Sequence, residues 1–234
     1  MSKPKQAVLL LTAVLAALIG IGLAVSPSLE RQRLDEEQAA ILEHIETGGG
    51  TVKLTKQVVK APVTDYDEPE GEDVIPLAAL PEPEQAEEAE PEEAAPETGE
   101  IAGIGILSIP CIDAKLPVTA GVTVEQLKVS EGWVTQSAPI GSEGNAVIAG
   151  HRSYTYGRHF NRLGELETGD EIHYTTADGE KMTFLVSEIL TIPPGDPAAF
   201  AAPPEGVAQL TLYTCTPIRE ATHRLLVRAL RVLE

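Results

Sequence analysis

Thr211-Leu212-Tyr213-Thr214-Cys215-Thr216-Pro217 is a β-branched and aromatic run that ends on a cysteine and then meets a proline. Such a run reads as a strand. Proline has no amide hydrogen to give a ladder, so regular structure is expected to stop just past the thiol. Cys215 is therefore expected at the rim of a sheet and not in a core. Nine residues on, Arg224 lies at the start of a second apolar run, His223 to Val232. The loop Pro217 to Thr222 lets the two strands lie side by side, with Arg224 level with Cys215. Alternation puts Arg224, Leu226 and Arg228 on one face and Leu225, Val227 and Ala229 on the other. Upstream, Asn145-Ala-Val-Ile-Ala-Gly150 delivers His151 in the same way, as a buried-type strand that stops on a chemically useful side chain.

The same texture fills the chain from Ile101 to Glu234. Gly103 to Pro110, Ala114 to Val118, Gly132 to Thr135, Asn145 to Ala149, Glu171 to Thr175, Met182 to Ile192, Gln209 to Thr214 and His223 to Val232 read as strands. Val124 to Val129 and Arg158 to Leu166 read as brief helical turns. Glu167-Thr-Gly-Asp170 and Thr176-Ala-Asp-Gly-Glu180 carry hairpin-type turn chemistry. Eight strands with only short helices predict a mainly β fold closed, or partly closed, into a barrel that leaves few free edges.

The formal net charge of −19 over 234 residues is unevenly spread. Ala61 to Glu100 holds fifteen Asp or Glu and no Lys or Arg. Ile101 to Glu234 holds ten basic and fifteen acidic residues, a net of −5. No basic surface suited to nucleic acid is present in that pattern. The acidic segment, rich in Glu, Pro and Ala, cannot bury enough apolar surface to order itself and reads as an extended, self-repelling spacer; a fold-back as an acidic lid is the alternative. Ala7 to Val25 is an uncharged run of nineteen residues behind Lys3 and Lys5, close to the ~20 that span a bilayer, with the N-terminus inside. A cleaved signal peptide, supported by Ala24-Val25-Ser26, is the competing reading; both place the residues beyond Pro27 outside the membrane. Leu34, Ile41, Leu42 and Ile45 mark a helix over Leu29 to Ile45, closed by Gly48-Gly49-Gly50 and read as a juxtamembrane stalk or a self-association seam. Thr51 to Val63 has room for a short strand. The expected division is anchor 1–28, juxtamembrane helix and stalk 29–63, disordered linker 64–100 and barrel 101–234.

Two cysteines do not make a disulfide framework. Cys111, in Ile109-Pro110-Cys111-Ile112, reads as a small buried hydrophobe in an early strand. Cys215 has cations available to favour its thiolate, His151 and Arg224. Arg224 stays protonated and cannot be a base; its work is hydrogen-bond donation to a carbonyl or a developing oxyanion. Of the other histidines, His44 lies in the stalk helix, His173 in a polar hairpin, His159 in a turn, and His223 points away from Arg224. Thiol, imidazole and guanidinium together are parts for acyl transfer. The proline-stiffened segment Thr191 to Gly206 is read as one wall of a substrate groove, with Phe200 and Val207 as apolar contacts. No cofactor and no metal ligand enters this reading.

Gly144-Asn-Ala-Val-Ile-Ala-Gly-His-Arg152 and Thr211-Leu-Tyr-Thr-Cys-Thr-Pro217, with His223-Arg-Leu-Leu-Val-Arg228, resemble the sortases, cysteine transpeptidases of bacterial surfaces. Ile106-Leu-Ser-Ile-Pro110, Leu116-Pro-Val118 and Glu131-Gly-Trp133 look like the early strands of the eight-stranded sortase barrel. The resemblance implies Cys215 as nucleophile, His151 as general acid/base and Arg224 as the oxyanion or substrate donor, with Thr214 assisting at the oxyanion site. It also implies a Leu-Pro-x-Thr-Gly type sorting signal and an amine acceptor from a peptidoglycan cross-bridge or a pilin lysine. Thr216-Pro217 and Thr222-His223-Arg224 look like pilin-polymerising members. The C-terminal membrane helix and the Asp-Pro-aromatic lid of those members are not seen, so the single-anchor wall-sorting class stays open. A membrane-tethered β-barrel that binds or adheres without catalysis is the alternative of another class.

Overall fold

The computed structural model describes residue 29 and residues 31–48, 51–53 and 100–232. The anchor expected within 1–28 and almost all of the linker expected over 64–100 lie outside the described residues. Among the described residues no helix is long and apolar enough to cross a membrane.

Each expected strand is present. In chain order the elements are helix α1 (31–46), β1 (Thr51–Lys53), β2 (Glu100–Ile109), β3 (Ala114–Ala120), the short α2 (Val124–Leu127), β4 (Glu131–Trp133), β5 (Gly144–Ala149), β6 (Glu171–Thr176), β7 (Lys181–Ile192), β8 (Ala208–Thr216) and β9 (His223–Arg231). The sheet runs β2-β3-β4-β5-β8-β9-β7-β6, and β6 pairs back onto β2, closing an eight-stranded barrel. β1 extends β2 through Glu100–Ala102. Only β3–β4 and β5–β8 are parallel; the remaining pairs are antiparallel.

Strand alternation sorts side chains into two apolar layers. Ala146, Ile148, Leu210, Leu212, Leu225, Val227 and Ala229 point inward and join the main core with Leu107, Phe160 and Phe184. Val147, Ala149, Tyr213 and Leu226 point outward, yet they too are buried, in a second layer with Val134, Ile192 and Ala199. A strand buried on both faces has no polar alternation, which is why β5 reads as the unbroken run Val147-Ile148-Ala149. The connector between β7 and β8 forms part of that outer cover. Asp196 caps its 3-10 turn Pro197–Phe200 by accepting from the Ala198 amide at 2.9 Å. Asn145 Nδ2 donates to the carbonyls of Ala199 and Ala201 at 3.2 and 3.1 Å. The hairpin joining β6 and β7 turns at Gly179, whose φ of +87° is open to glycine without strain.

α1 is not a free stalk. Its seam residues Leu34, Ile41 and Ile45 are buried against Ile101, Ile106 and Val129 of the barrel. At about 1.5–3 kcal/mol for each fully buried aliphatic side chain, this contact holds the helix to the domain. Lys115 pairs with Glu46 across the same contact, and Arg158 Nε lies 3.4 Å from Asp35 Oδ1.

Candidate active site

β5 and β8 run parallel with Ala149 opposite Tyr213, and the Gly150 amide continues the ladder by donating to the Tyr213 carbonyl at 3.1 Å. Two residues further along each strand stand His151 and Cys215. On the other flank of β8, β9 is antiparallel and places Arg224 directly opposite Cys215. Val147, Ala149 and Tyr213 belong to the outer layer, so the period of two carries His151 and Cys215 to the same outer face. Leu226, also in that layer, does the same for Arg224. Neighbouring strands lie about 4.8 Å apart, so the sulfur has an imidazole-bearing strand on one side and a guanidinium-bearing strand on the other. The register sets Cys215 level with Arg224, and His151 stands two residues past the last β5–β8 pair.

The three environments differ. Cys215 and His151 are half-buried, whereas Arg224 is 2% exposed. Its Nη1 donates to the carbonyls of Ala221 and His223 at 2.9 and 3.1 Å, which fixes the guanidinium beside the strand end. A guanidinium has five N–H donors in a fixed fork. Arg152 adds a second cation nearby: burial lowers its pKa, and charge on Cys215 works against that shift. Its Nε donates to the Asn161 carbonyl at 3.2 Å.

Thr214 sits differently from expectation. It faces the opposite side of β8 from Cys215, is buried, and its Oγ1 donates to the Gly150 carbonyl at 2.7 Å. Alternation decides this: adjacent residues of a strand cannot share a face. Its side chain ties the residue before His151, at the end of β5, to β8. Val207 precedes β8, eight residues before Cys215, and at about 3.3 Å per residue it lies some 26 Å along the strand, at the other end of the barrel. Phe200 packs against the outer layer that also holds Tyr213 and Ile192, while its turn is tied to Asn145. Cys111 is exposed, in the 3-10 turn Pro110–Ile112 and not in a strand. β2 ends at Ile109 and the next residue is proline, so Cys111 falls in a connection. Burial, then Asp170, raises its thiol pKa, so its thiolate is disfavoured.

The remaining histidines divide cleanly. His173 lies in β6, 3.3 Å from Glu171, and His223 is exposed beside Thr222. His159 lies in a turn, as expected, but is no surface residue: it is fully buried with Glu131, their Nδ1 and Oε1 2.9 Å apart. In the sequence Glu131 is only a member of a short strand.

That pair has a stability signature. Burial, then Arg158, holds His159 down to about 3, while the unfolded chain takes up the proton near pH 6.5. Between those values the unfolded state binds the extra proton, so stability falls as pH drops. Burial raises Glu131 well above its ordinary value of 4.5; its contribution has the opposite sense, lost as pH rises from 4.5 through the folded value. Below about pH 4.5 Glu131 is protonated in both states and the histidine slope stands alone. Thermal melts of His159→Gln are expected to decline less steeply than wild type from pH ~4.5 to ~3; parallel curves contradict this.

The comparisons with known proteins identify the family. The sortase domain family matches residues 107–232, and the chain belongs to that family. It is 33% identical over 122 residues to sortase D of Bacillus subtilis (strain 168), covering 52% of this chain and 58% of that protein. It is 28% identical over 130 residues to sortase A of Streptococcus agalactiae serotype III (strain NEM316), covering 54% and 51%. The chain thus spans little more than half the length of either relative. Among solved structures, sortase A from Corynebacterium diphtheriae is similar with a TM-score of 0.53 and 36% identity, over 56% of this chain and 61% of that one. Sortase C1 of Streptococcus agalactiae gives 0.52 and 31%, over 56% and 67%.

Proposed function

We propose that the chain is a membrane-tethered cysteine transpeptidase that cleaves a Leu-Pro-x-Thr-Gly type sorting signal and passes the acyl group to an amine. The observation that carries this reading is the placement of His151, Cys215 and Arg224 on one outer face at neighbouring strand ends. Cys215 Sγ attacks the Thr carbonyl carbon, and Arg224 donates to the oxygen as negative charge develops there. The bond to the glycine nitrogen breaks as His151 gives that nitrogen its proton, leaving a thioester. An amine, from a peptidoglycan cross-bridge or a pilin lysine, then attacks the thioester. Its proton passes to His151, a new amide forms as the carbon–sulfur bond breaks, and the Cys215 thiolate is released beside the imidazolium. The uncharged run Ala7 to Val25 serves as anchor, the acidic segment as spacer, and the barrel works outside the membrane.

A free thiol near pKa 8.5 and an imidazole near 6.5 leave only a few per cent thiolate at pH 7. The working thiolate–imidazolium form is then a minor population, and its abundance rises and falls around neutral pH. Transpeptidation is expected to show a bell-shaped profile centred near neutral or slightly above; a rate constant from pH 6 to 9 contradicts the pairing. The reading as a whole is tested by incubating the full chain with sorting-signal peptides and candidate amines. Ligated product, identified by mass, supports it. Binding of the peptide with neither cleavage nor ligation favours a non-catalytic adhesion module.

A further inference from the structure

Behind His151 stands a titratable group that the acyl-transfer steps do not use. Glu131 of β4 is fully buried, as is His159, whose Nδ1 meets Glu131 Oε1 at 2.9 Å. Glu131 Oε2 is pressed so close beneath Gly150 that a Cβ there would overlap it; only glycine admits the carboxyl group at the residue before His151. The His159 ring meets the His151 ring edge to face, with centroids 6.3 Å apart and planes at 82°. Phe160, next in the chain to His159, donates its amide to the His151 carbonyl at 3.0 Å. Glu131 thus packs beneath the residue before His151, while the His159–Phe160 segment holds the His151 carbonyl and one edge of its ring. A buried carboxyl group is expensive compared with an apolar residue of similar size, so its presence here calls for a role.

We infer that Glu131 is a positioning residue for His151: seated beneath Gly150 and paired with His159 Nδ1, it fixes the segment carrying the ring and stabilises the ring when protonated. This rests on the reading of His151 as general acid. Burial opposes the carboxylate form of Glu131, and the charges of His151 and Arg158 favour it; ionised Glu131 and protonated His151 therefore support each other. The charges that act on the pair are His151 and Arg158 on Glu131, and Arg158 and, from α1, Asp35 on His159, whose ring also meets the backbone of Lys128. Through Asp35 and Arg158 the docked α1 touches the same group.

Glu131→Gln keeps the shape and removes the charge. In ligation assays on the full chain, its kcat is expected to fall about tenfold or more, one pKa unit's worth of lost charge stabilisation, with KM within about twofold. The acid limb of the rate profile is expected to move to lower pH, because the protonated imidazole loses its partner. The melting temperature is expected to stay level or rise, since a buried charge is gone. Glu131→Asp, which keeps the charge, is expected to keep the acid limb. A Gln variant with wild-type kcat and an unmoved acid limb overturns the inference. Should that variant not fold, the ¹⁵N spectrum of wild type decides: His159 protonated on Nδ1 supports a carboxylate acceptor, and protonation on Nε2 alone overturns it. Failure of the underlying function looks different, as a wild type that ligates nothing or a His151→Ala variant that works normally.

Discussion

Cys215→Ala is expected to abolish acyl-enzyme formation and to lower ligation by about 10⁴-fold or more, the scale on which loss of a covalent nucleophile is felt. The reason is positional. The half-buried thiol stands at the end of β8, with His151 on the β5 side and Arg224 opposite on β9, and no other described cysteine or serine occupies that point. The melting temperature is expected to change little, because the side chain is small and belongs to none of the apolar layers. Cys111→Ser is the control: Cys111 is exposed in a turn and carries a raised thiol pKa, so its loss is expected to leave ligation at the wild-type rate. Steady-state ligation with both variants checks the pair. A Cys215→Ala variant that still ligates, or a Cys111→Ser variant that does not, reverses the assignment of the two thiols.

Arg224→Lys is expected to lower kcat by about 10²-fold or more, the cost of losing one preorganised donor to an oxyanion. Lysine keeps the charge but presents it as a compact point in place of a planar fork. Arg224 commits Nη1 to the Ala221 and His223 carbonyls, which orients the planar guanidinium as a unit. A lysine that satisfies one carbonyl has no rigid arm left to aim. The effect is expected mainly in kcat, since the charge that attracts substrate is kept. Separate determination of kcat and KM, alongside a melting curve, distinguishes this from simple unfolding. Wild-type kcat in a folded Arg224→Lys protein would remove arginine from the chemistry.

Much of this architecture is legible in the chain because its strands announce themselves locally. β8 is bounded by Gly206 and Pro217, β5 by Gly144 and Gly150, and their apolar runs have strand length. Level placement of Arg224 with Cys215 follows from one short loop, and the observed register has that pairing. What the chain hides is non-local. The seam of α1 has the same spacing whether it faces another helix or the barrel, so its contact with Ile101, Ile106 and Val129 is invisible before folding. Val207 reads as adjacent to the site only if the connector folds over it, whereas β8 is long enough to carry the two ends apart. Thr214 is the reverse case, since alternation within the very strand that locates Cys215 turns it to the other face. Glu131 and His159 are twenty-eight residues apart, and nothing in either local sequence tells of the other.

The most direct measurement is to trap the acyl-enzyme from a sorting-signal peptide on the full chain and locate the added mass by peptide mapping. Mass of the acyl fragment on Cys215, in the fragment that carries β8, is the predicted result, with none formed in His151→Ala. Cleavage of the peptide with Cys215 unmodified throughout, or with the adduct on Cys111 alone, would contradict it.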